Sequence, residues 1–315
     1  MSAALAKPLD IKRVEHKALI PNWFNVGGRA DRLARPESID ELRACLRTDP
    51  NLRVLGDGAN ILVDDAGVAE LVVTLERDVF TSVQIDARTG RVVAGAGGKL
   101  QKVINDTTRA GLAGLEVLGG IPATIGGAAV MNAGGKFGEI GPCVRVVHAL
   151  DRAGNVRTLP AAECRFAYRS SALASLIVTA VEFALTPADP PPLRARYAEI
   201  LAFKKRSQPM ADNSAGCCFK NPTLRAPLEG IGDTGQRISA GLLIDRAECK
   251  NLEVGGARVS DRHANFFVTR AGCRARDVME LIEVVRARVN DTFGVSLDPE
   301  VVIWKRACPV QEMAR

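Results

Sequence analysis

The sequence predicts an α+β protein in two domains, and three observations carry that prediction. Apolar or alternating runs of strand length recur at residues 52–55, 71–75, 82–86, 91–94, 144–150, 155–159 and 177–185. Consecutive prolines, Pro190-Pro191-Pro192, forbid a continuous helix or central strand, so the chain divides best there. Beyond them, residues 193–203 read as a helix and 216–301 as a compact α+β unit. Its last helix carries Val278, Leu281, Ile282, Val285 and Val289 on one face, with Gly294 just past its end. A chain of 315 residues has room for two or three domains of ordinary size.

Composition excludes several function classes. The formal charge of +6 is spread along the sequence, and only 4% of residues are aromatic, so a nucleic-acid stacking platform is poorly supported. Residues 1–17 contain no apolar run of signal-peptide length. The longest apolar stretch, 172–181, is well short of the roughly 18 residues needed to span a bilayer, so a cytoplasmic protein is expected. The eight cysteines form no C-x-x-C pair, and only His16, His148 and His263 could join them as ligands. Neither a disulfide framework nor a metal site is indicated.

In chain order, Val26-Gly27-Gly28 reads as a strand entering a tight turn. Ser38 and Glu41 stand at capping-box spacing ahead of a helix whose buried face is Leu42, Cys45 and Leu46. The strand 52–55 runs into Gly56-Asp57-Gly58-Ala59-Asn60-Ile61. A helix over 99–110 then ends where Gly111 supplies a left-handed cap. The segment 111–139 follows, with nine glycines threaded among Leu112, Leu115, Val117, Leu118, Ile121, Ile125, Val130 and Met131. A linker has no use for so many apolar residues; Gly-Gly pairs with small neighbours suggest peptide N–H groups turned toward a phosphate or a planar ring. The common phosphate motifs fail: Leu100 and Ile61 stand where a dinucleotide fingerprint needs its third glycine, and Gly135-Lys136 is followed by Phe137, not Ser or Thr.

The run from Gly120 to Ala128, GIPATIGGA, with Met131-Asn132-Ala133-Gly134, resembles the flavin-domain signature of the UDP-N-acetylenolpyruvoylglucosamine reductases. Other motifs of that family recur in order: Ile20 to Asp31, Gly56 to Val63, Phe166-Ala167-Tyr168-Arg169-Ser170-Ser171, and Ala215 to Pro222. Ala240 to Asp245, Gly255-Gly256-Ala257, His263-Ala264-Asn265-Phe266 and Leu297 to Val301 complete the series, which covers roughly residues 17–303.

The resemblance implies a two-lobed FAD-binding domain of the vanillyl-alcohol-oxidase (PCMH) type over 17–188, with lobes of about 17–83 and 84–188. A smaller α+β substrate-binding domain over 198–306 is implied after it. FAD is held non-covalently in this reading, by Gly56, Gly58, Ala59, Asn60 and Ile61 and by Gly119, Ile121, Pro122, Thr124, Gly126, Gly127, Asn132 and Gly134. Trp23 replaces the family's threonine, and Asp57, Ala59 and Ala123 are further departures. Asp57 puts a negative charge near the pyrophosphate, Ala59 lacks a serine hydroxyl, and the Cβ of Ala123 would clash if that residue needed positive φ. The short interval 171–204 resembles the branch without the extra substrate-covering loop (the type II branch), so another segment must shield the site.

The implied reaction is NADPH-dependent reduction of the enolpyruvyl ether of UDP-N-acetylglucosamine to UDP-N-acetylmuramate, in peptidoglycan precursor synthesis. Hydride addition to the terminal vinyl carbon leaves an enediolate beside the carboxylate, which needs cationic and hydrogen-bonding partners held in place. The expected partners are Arg169, whose planar fork suits a carboxylate, and Glu300, in its protonated form if burial raises its pKa. Cys217 takes the family's proton-donor position; a free thiol near pKa ~8.5 is largely protonated at neutral pH. Arg169, Cys217 and Glu300 are expected to converge over one flavin face, with Cys218 on the opposite side of its strand as a small core residue. Tyr168, Lys220, Asn221 and His263 are the expected substrate-binding residues. The partners are the enolpyruvyl nucleotide and NADPH, with no nucleic acid or membrane, and the protein is expected to be a monomer. Two readings stay open beside this one: a flavin oxidase or dehydrogenase of the same fold, and a non-catalytic paralogue that binds a nucleotide sugar.

Overall fold

The computed structural model describes residues 13–306. Residues 1–12, on which the signal-peptide reading mostly falls, lie outside them. Two compact units emerge: one from 31–57 and 70–203 with the strand Val14–Ala18, the other from 19–30, 58–69 and 204 onward.

In the first unit, a five-stranded antiparallel sheet runs Val156–Pro160, Val144–Leu150, Ile177–Ala184, Arg91–Gly95, Val83–Asp86. A four-stranded sheet is ordered Val14–Ala18, Ala30–Ala34, Val68–Thr74, Arg53–Leu55. One continuous core extends from Ala34 to Leu185, drawing on both sheets and on the helices Ile39–Thr48, Leu100–Arg109 and Ile125–Met131. Ser38 caps the first of these helices by accepting from Glu41 N–H, and Leu42, Cys45 and Leu46 are buried as the spacing predicts. Gly111 follows the second at φ +71°, the left-handed conformation that lets the chain turn out of a helix.

The prolines correct one expectation. Pro190–Ser207 is a single helix of 18 residues, and the prolines occupy its first turn, where N–H groups have no intrahelical acceptor to lose. They start an element instead of breaking the chain.

The second unit holds a three-stranded antiparallel sheet, Glu253–Val254, Ala257–Val259 and Phe267–Thr269, with the helices Ala240–Arg246 and Ala275–Phe293. The long helix buries Val278, Leu281, Ile282, Val285 and Val289 and ends at Gly294, φ +65°. Residues 19–30 and 58–69 were expected in the first lobe but cluster here. The reason is a parallel pairing of Val302–Trp304 with Ile61–Val63, while Phe24, Val26 and Leu62 enter the core of this unit.

Candidate active site

In the first unit the glycine segment is shaped by its neighbours. Thr124 caps the helix Ile125–Met131, its hydroxyl accepting from Gly127 N–H at 3.3 Å. A Cβ on Gly56 would lie 2.7 Å from that hydroxyl, and one on Gly126 would lie 2.9 Å from the Cβ of Ala96. Gly127 is exposed, and a Cβ there would meet only the Thr124 hydroxyl. Main chain without side chains therefore gathers around Thr124, a cradle that a negatively charged group can approach closely.

Gln101 fixes the preceding turn. Its Oε1 accepts from Gly120 N–H at 2.9 Å and from the Tyr197 hydroxyl at 3.0 Å, and its Nε2 donates to Ile121 O at 3.0 Å. The Tyr197 ring fills the space over Gly119, where a Cβ would come within 2.8 Å of it. Neither Gln101 nor Tyr197 was singled out from the sequence, since no motif contains them.

Two departures from the family pattern are accommodated. Asp57 is ion-paired with Lys99, so its charge is offset locally. Ala123 is not among the residues of positive φ, and its carbonyl accepts from Leu100 N–H at 2.9 Å; its Cβ meets no backbone penalty. Phe137, in the short hairpin of Gly134–Gly135 with Gly138–Glu139, packs edge-on against Phe203 at 5.3 Å.

Tyr168 and Arg169 form the centre of a tight turn, with Ser170 N–H donating to Ala167 O at 3.1 Å and Ala167 N–H to Ser170 O at 3.0 Å. Arg169 has φ +53°, and its guanidinium lies 5.4 Å from the Tyr168 ring centre. Asn132, one of the residues expected to bind FAD, directs its side-chain amide into the protein. It is fully buried, donates to Ala167 O at 2.9 Å and accepts from Gly141 N–H at 2.9 Å.

In the second unit, the stretch carrying Cys217 lies between two others. Cys217 is bridged to Phe266, Cys218 N–H donates to Asn265 O at 2.8 Å, and Glu300 N–H donates to Cys218 O at 2.7 Å. Cys217 is half-buried, whereas Cys218 is buried, its thiol pushed well up by desolvation, which suits the core role expected of it. Asn60 Nδ2 donates to Glu300 O at 3.1 Å, and Asn60 O accepts from Val302 N–H at 3.0 Å. Gly58, at φ +66°, packs so closely that a Cβ would lie 2.2 Å from Pro21 O, and Ala59 leads into the strand that opens at Ile61. Asn221 spends its side-chain oxygen on Ala240 N–H at 3.0 Å, at the start of the helix Ala240–Arg246, and Lys220 N–H donates to Asp298 O at 2.9 Å. His263 accepts from Asn265 N–H at Nδ1, 3.3 Å, and burial lowers its pKa, keeping the ring neutral; its partner is the chain itself. Among the described residues no cluster of His, Cys, Asp or Glu could hold a metal, and no helix is long and apolar enough to cross a membrane.

Residues 30–159 match the profile of an FAD binding domain, and residues 208–304 that of the UDP-N-acetylenolpyruvoylglucosamine reductase C-terminal domain. The chain is similar to the UDP-N-acetylenolpyruvoylglucosamine reductase of Bradyrhizobium sp., 38% identical with 91% of this chain and 90% of the relative covered. It is similar to that of Paramagnetospirillum magneticum at 40% identity, over 89% and 87% of the two chains. The crystal structure of the Thermus caldophilus UDP-N-acetylenolpyruvylglucosamine reductase superposes with a TM-score of 0.77 at 37% identity, covering 93% of this chain and 99% of that one. The chain belongs to the UDP-N-acetylenolpyruvoylglucosamine reductase family. It is thus a flavoenzyme with an FAD-binding domain followed by the family's C-terminal domain.

The residues of the first unit fit FAD. At the cradle of Gly56, Thr124 and Gly127 the main chain closes on the Thr124 hydroxyl, which any Cβ at Gly56 would strike, Gly127 leaves its exposed peptide uncovered by a side chain, and Lys99 offsets the neighbouring Asp57 carboxylate. Pro122, Gly119 and Ile121 lie on the turn that Gln101 secures. Of the residues expected to bind FAD, Asn132 bonds through its side-chain amide to Ala167 O and Gly141 N–H, and Asn60 donates from Nδ2 to Glu300 O.

Proposed function

We propose that this protein reduces the enolpyruvyl ether of UDP-N-acetylglucosamine to UDP-N-acetylmuramate at the expense of NADPH; its relatives are named UDP-N-acetylenolpyruvoylglucosamine reductases. FAD, when bound, supplies the carriage of hydride from NADPH to the terminal vinyl carbon. Arg169 pairs with the substrate carboxylate and offsets the negative charge that grows beside it, and Glu300 adds a hydrogen bond to the same group. The Cys217 thiol gives its proton to the neighbouring carbon, completing the lactyl ether, and is reprotonated from water. Tyr168, Lys220 and the Asn221 region contact the nucleotide.

The observation that carries this reading is the Glu300 N–H to Cys218 O hydrogen bond of 2.7 Å, which pairs the chain at Glu300 with the stretch bearing Cys217. A carboxyl and a thiol drawn from sites 83 residues apart (300 − 217) are thereby brought to adjoining chain segments of the second unit. In this reading the protein acts as a cytoplasmic monomer in peptidoglycan synthesis, supporting cell shape and division.

The test is spectral. The purified protein should be yellow, NADPH should bleach it without oxygen, and the enolpyruvyl nucleotide should restore the colour with formation of UDP-N-acetylmuramate. A preparation that takes up no FAD, or one that recovers colour only with oxygen, overturns the proposal.

A further inference from the structure

Arg169 sits in a conformation that arginine does not choose. At φ +53° it occupies the second central position of the turn Ala167–Ser170, where glycine or asparagine is favoured. Arg165, four residues earlier, is also left-handed at φ +47°. Two strained non-glycine residues in so short a stretch persist only when surrounding structure over-determines them.

Two side chains tie the turn to the C-terminal end of the helix Ile125–Met131. Asn132, buried and itself left-handed at φ +47°, donates from Nδ2 to Ala167 O at 2.9 Å while its Oδ1 takes Gly141 N–H at 2.9 Å. Ser171, on the far side of the turn, donates from Oγ to Val130 O at 2.7 Å and accepts Leu173 N–H at 3.2 Å. The turn is therefore tied at both ends to the same helix terminus, whose other end is the Thr124 cap beside the glycine cradle. We propose that Asn132 and Ser171 are positioning residues: a two-point clamp that holds the Tyr168-Arg169 turn in its left-handed form and fixes where the Arg169 guanidinium is presented. The proposal rests on the reading of Arg169 as partner of the substrate carboxylate.

The plain alternative is that Asn132 only caps a helix, since asparagine tolerates the left-handed cap. Asn132→Gly separates the two, because glycine keeps the cap and deletes the clamp. FAD content and bleaching by NADPH should stay within about threefold of the unaltered protein, while reoxidation by the enolpyruvyl nucleotide should fall about 10- to 100-fold, the effect of misplacing a catalytic group by about 1 Å. Ser171→Ala should give the same split, more weakly, and carries the test if Asn132→Gly does not fold. A readout independent of turnover is a melting cycle: Asn132→Gly should lower the melting temperature less in an Arg169→Gly background, where the turn has no strain to hold. Unchanged reoxidation, equal loss of both half-reactions, loss of FAD, or equal melting shifts in both backgrounds would overturn the clamp. If the unaltered protein is bleached by NADPH but not reoxidised by the nucleotide, the functional reading fails instead, and the melting cycle still decides the clamp.

Discussion

Asn265 grips Phe219 on both sides of its peptide unit, accepting Phe219 N–H at 2.9 Å and donating to Phe219 O at 2.8 Å. Both residues are buried, and the stretch they lock contains Cys217. Asn265→Leu should leave a buried donor and acceptor without partners, at a cost of about 3 kcal/mol read from urea midpoints. Because the stretch bearing Cys217 loses its register, reoxidation by substrate should fall more than reduction by NADPH.

His263 gives that lock a pH dependence. Burial lowers its pKa below the ordinary 6.5, with the Lys250 charge acting in the same direction, so the unfolded chain binds a proton more readily than the folded one. The stability it contributes is therefore complete above pH 6.5 and is lost as pH falls from there toward the lowered value. Protonation would also remove the Nδ1 acceptor used by Asn265 N–H. His263→Asn should melt with a shallower loss between pH 7 and pH 5 than the unaltered protein; parallel curves would exclude His263 as a contributor.

Much of this was legible because glycine reports a backbone requirement directly. The strands of the five-stranded sheet and the apolar face of the last helix are written in spacing, and each is found where the spacing puts it. What was not legible depends on partners distant in sequence. Nothing local tells that Gln101 meets Gly120 and Tyr197, or that residues 58–69 leave the first unit because Ile61–Val63 pairs with Val302–Trp304. The prolines misled because a rule about helix interiors was applied to a helix start. Asn132 and Asn60 were recognisable as motif residues, but a motif does not say whether a side chain faces a ligand or a neighbouring carbonyl.

The Asp57 to Lys99 ion pair beside Gly56 predicts opposite effects on FAD affinity. Lys99→Ala leaves the carboxylate uncompensated and should weaken FAD binding several-fold; Asp57→Asn frees the cation and should tighten it. Lys99 is largely exposed, so both effects should shrink in 0.5 M salt, where charges are screened over about 4 Å. Fluorescence titration of the stripped protein with FAD measures this, and salt-independent changes would point to altered packing.

Cys217→Ala should keep FAD and its reduction by NADPH but lose product formation by about 10²- to 10⁴-fold, the range of a positioned proton donor. Cys217→Ser should recover part of it, since a hydroxyl can also protonate carbon. A comparable loss in both half-reactions of Cys217→Ala would assign the thiol to flavin binding.

Arg169 offers a case in which the usual order of two substitutions inverts. Arg169→Ala and Arg169→Gly remove the same guanidinium and the same stacking on Tyr168, so the difference between them isolates the backbone. In ordinary conformations glycine is the less stable choice by roughly 0.5–1 kcal/mol, because it loses more freedom on folding. At φ +53° a Cβ costs about 1–2 kcal/mol, which outweighs that entropy. Arg169→Gly should therefore melt higher than Arg169→Ala, by about 0.5–1 kcal/mol in unfolding free energy, while both fail to form product. If alanine proves the more stable, the turn relaxes once arginine is gone, and Arg169 is then not held against its preference.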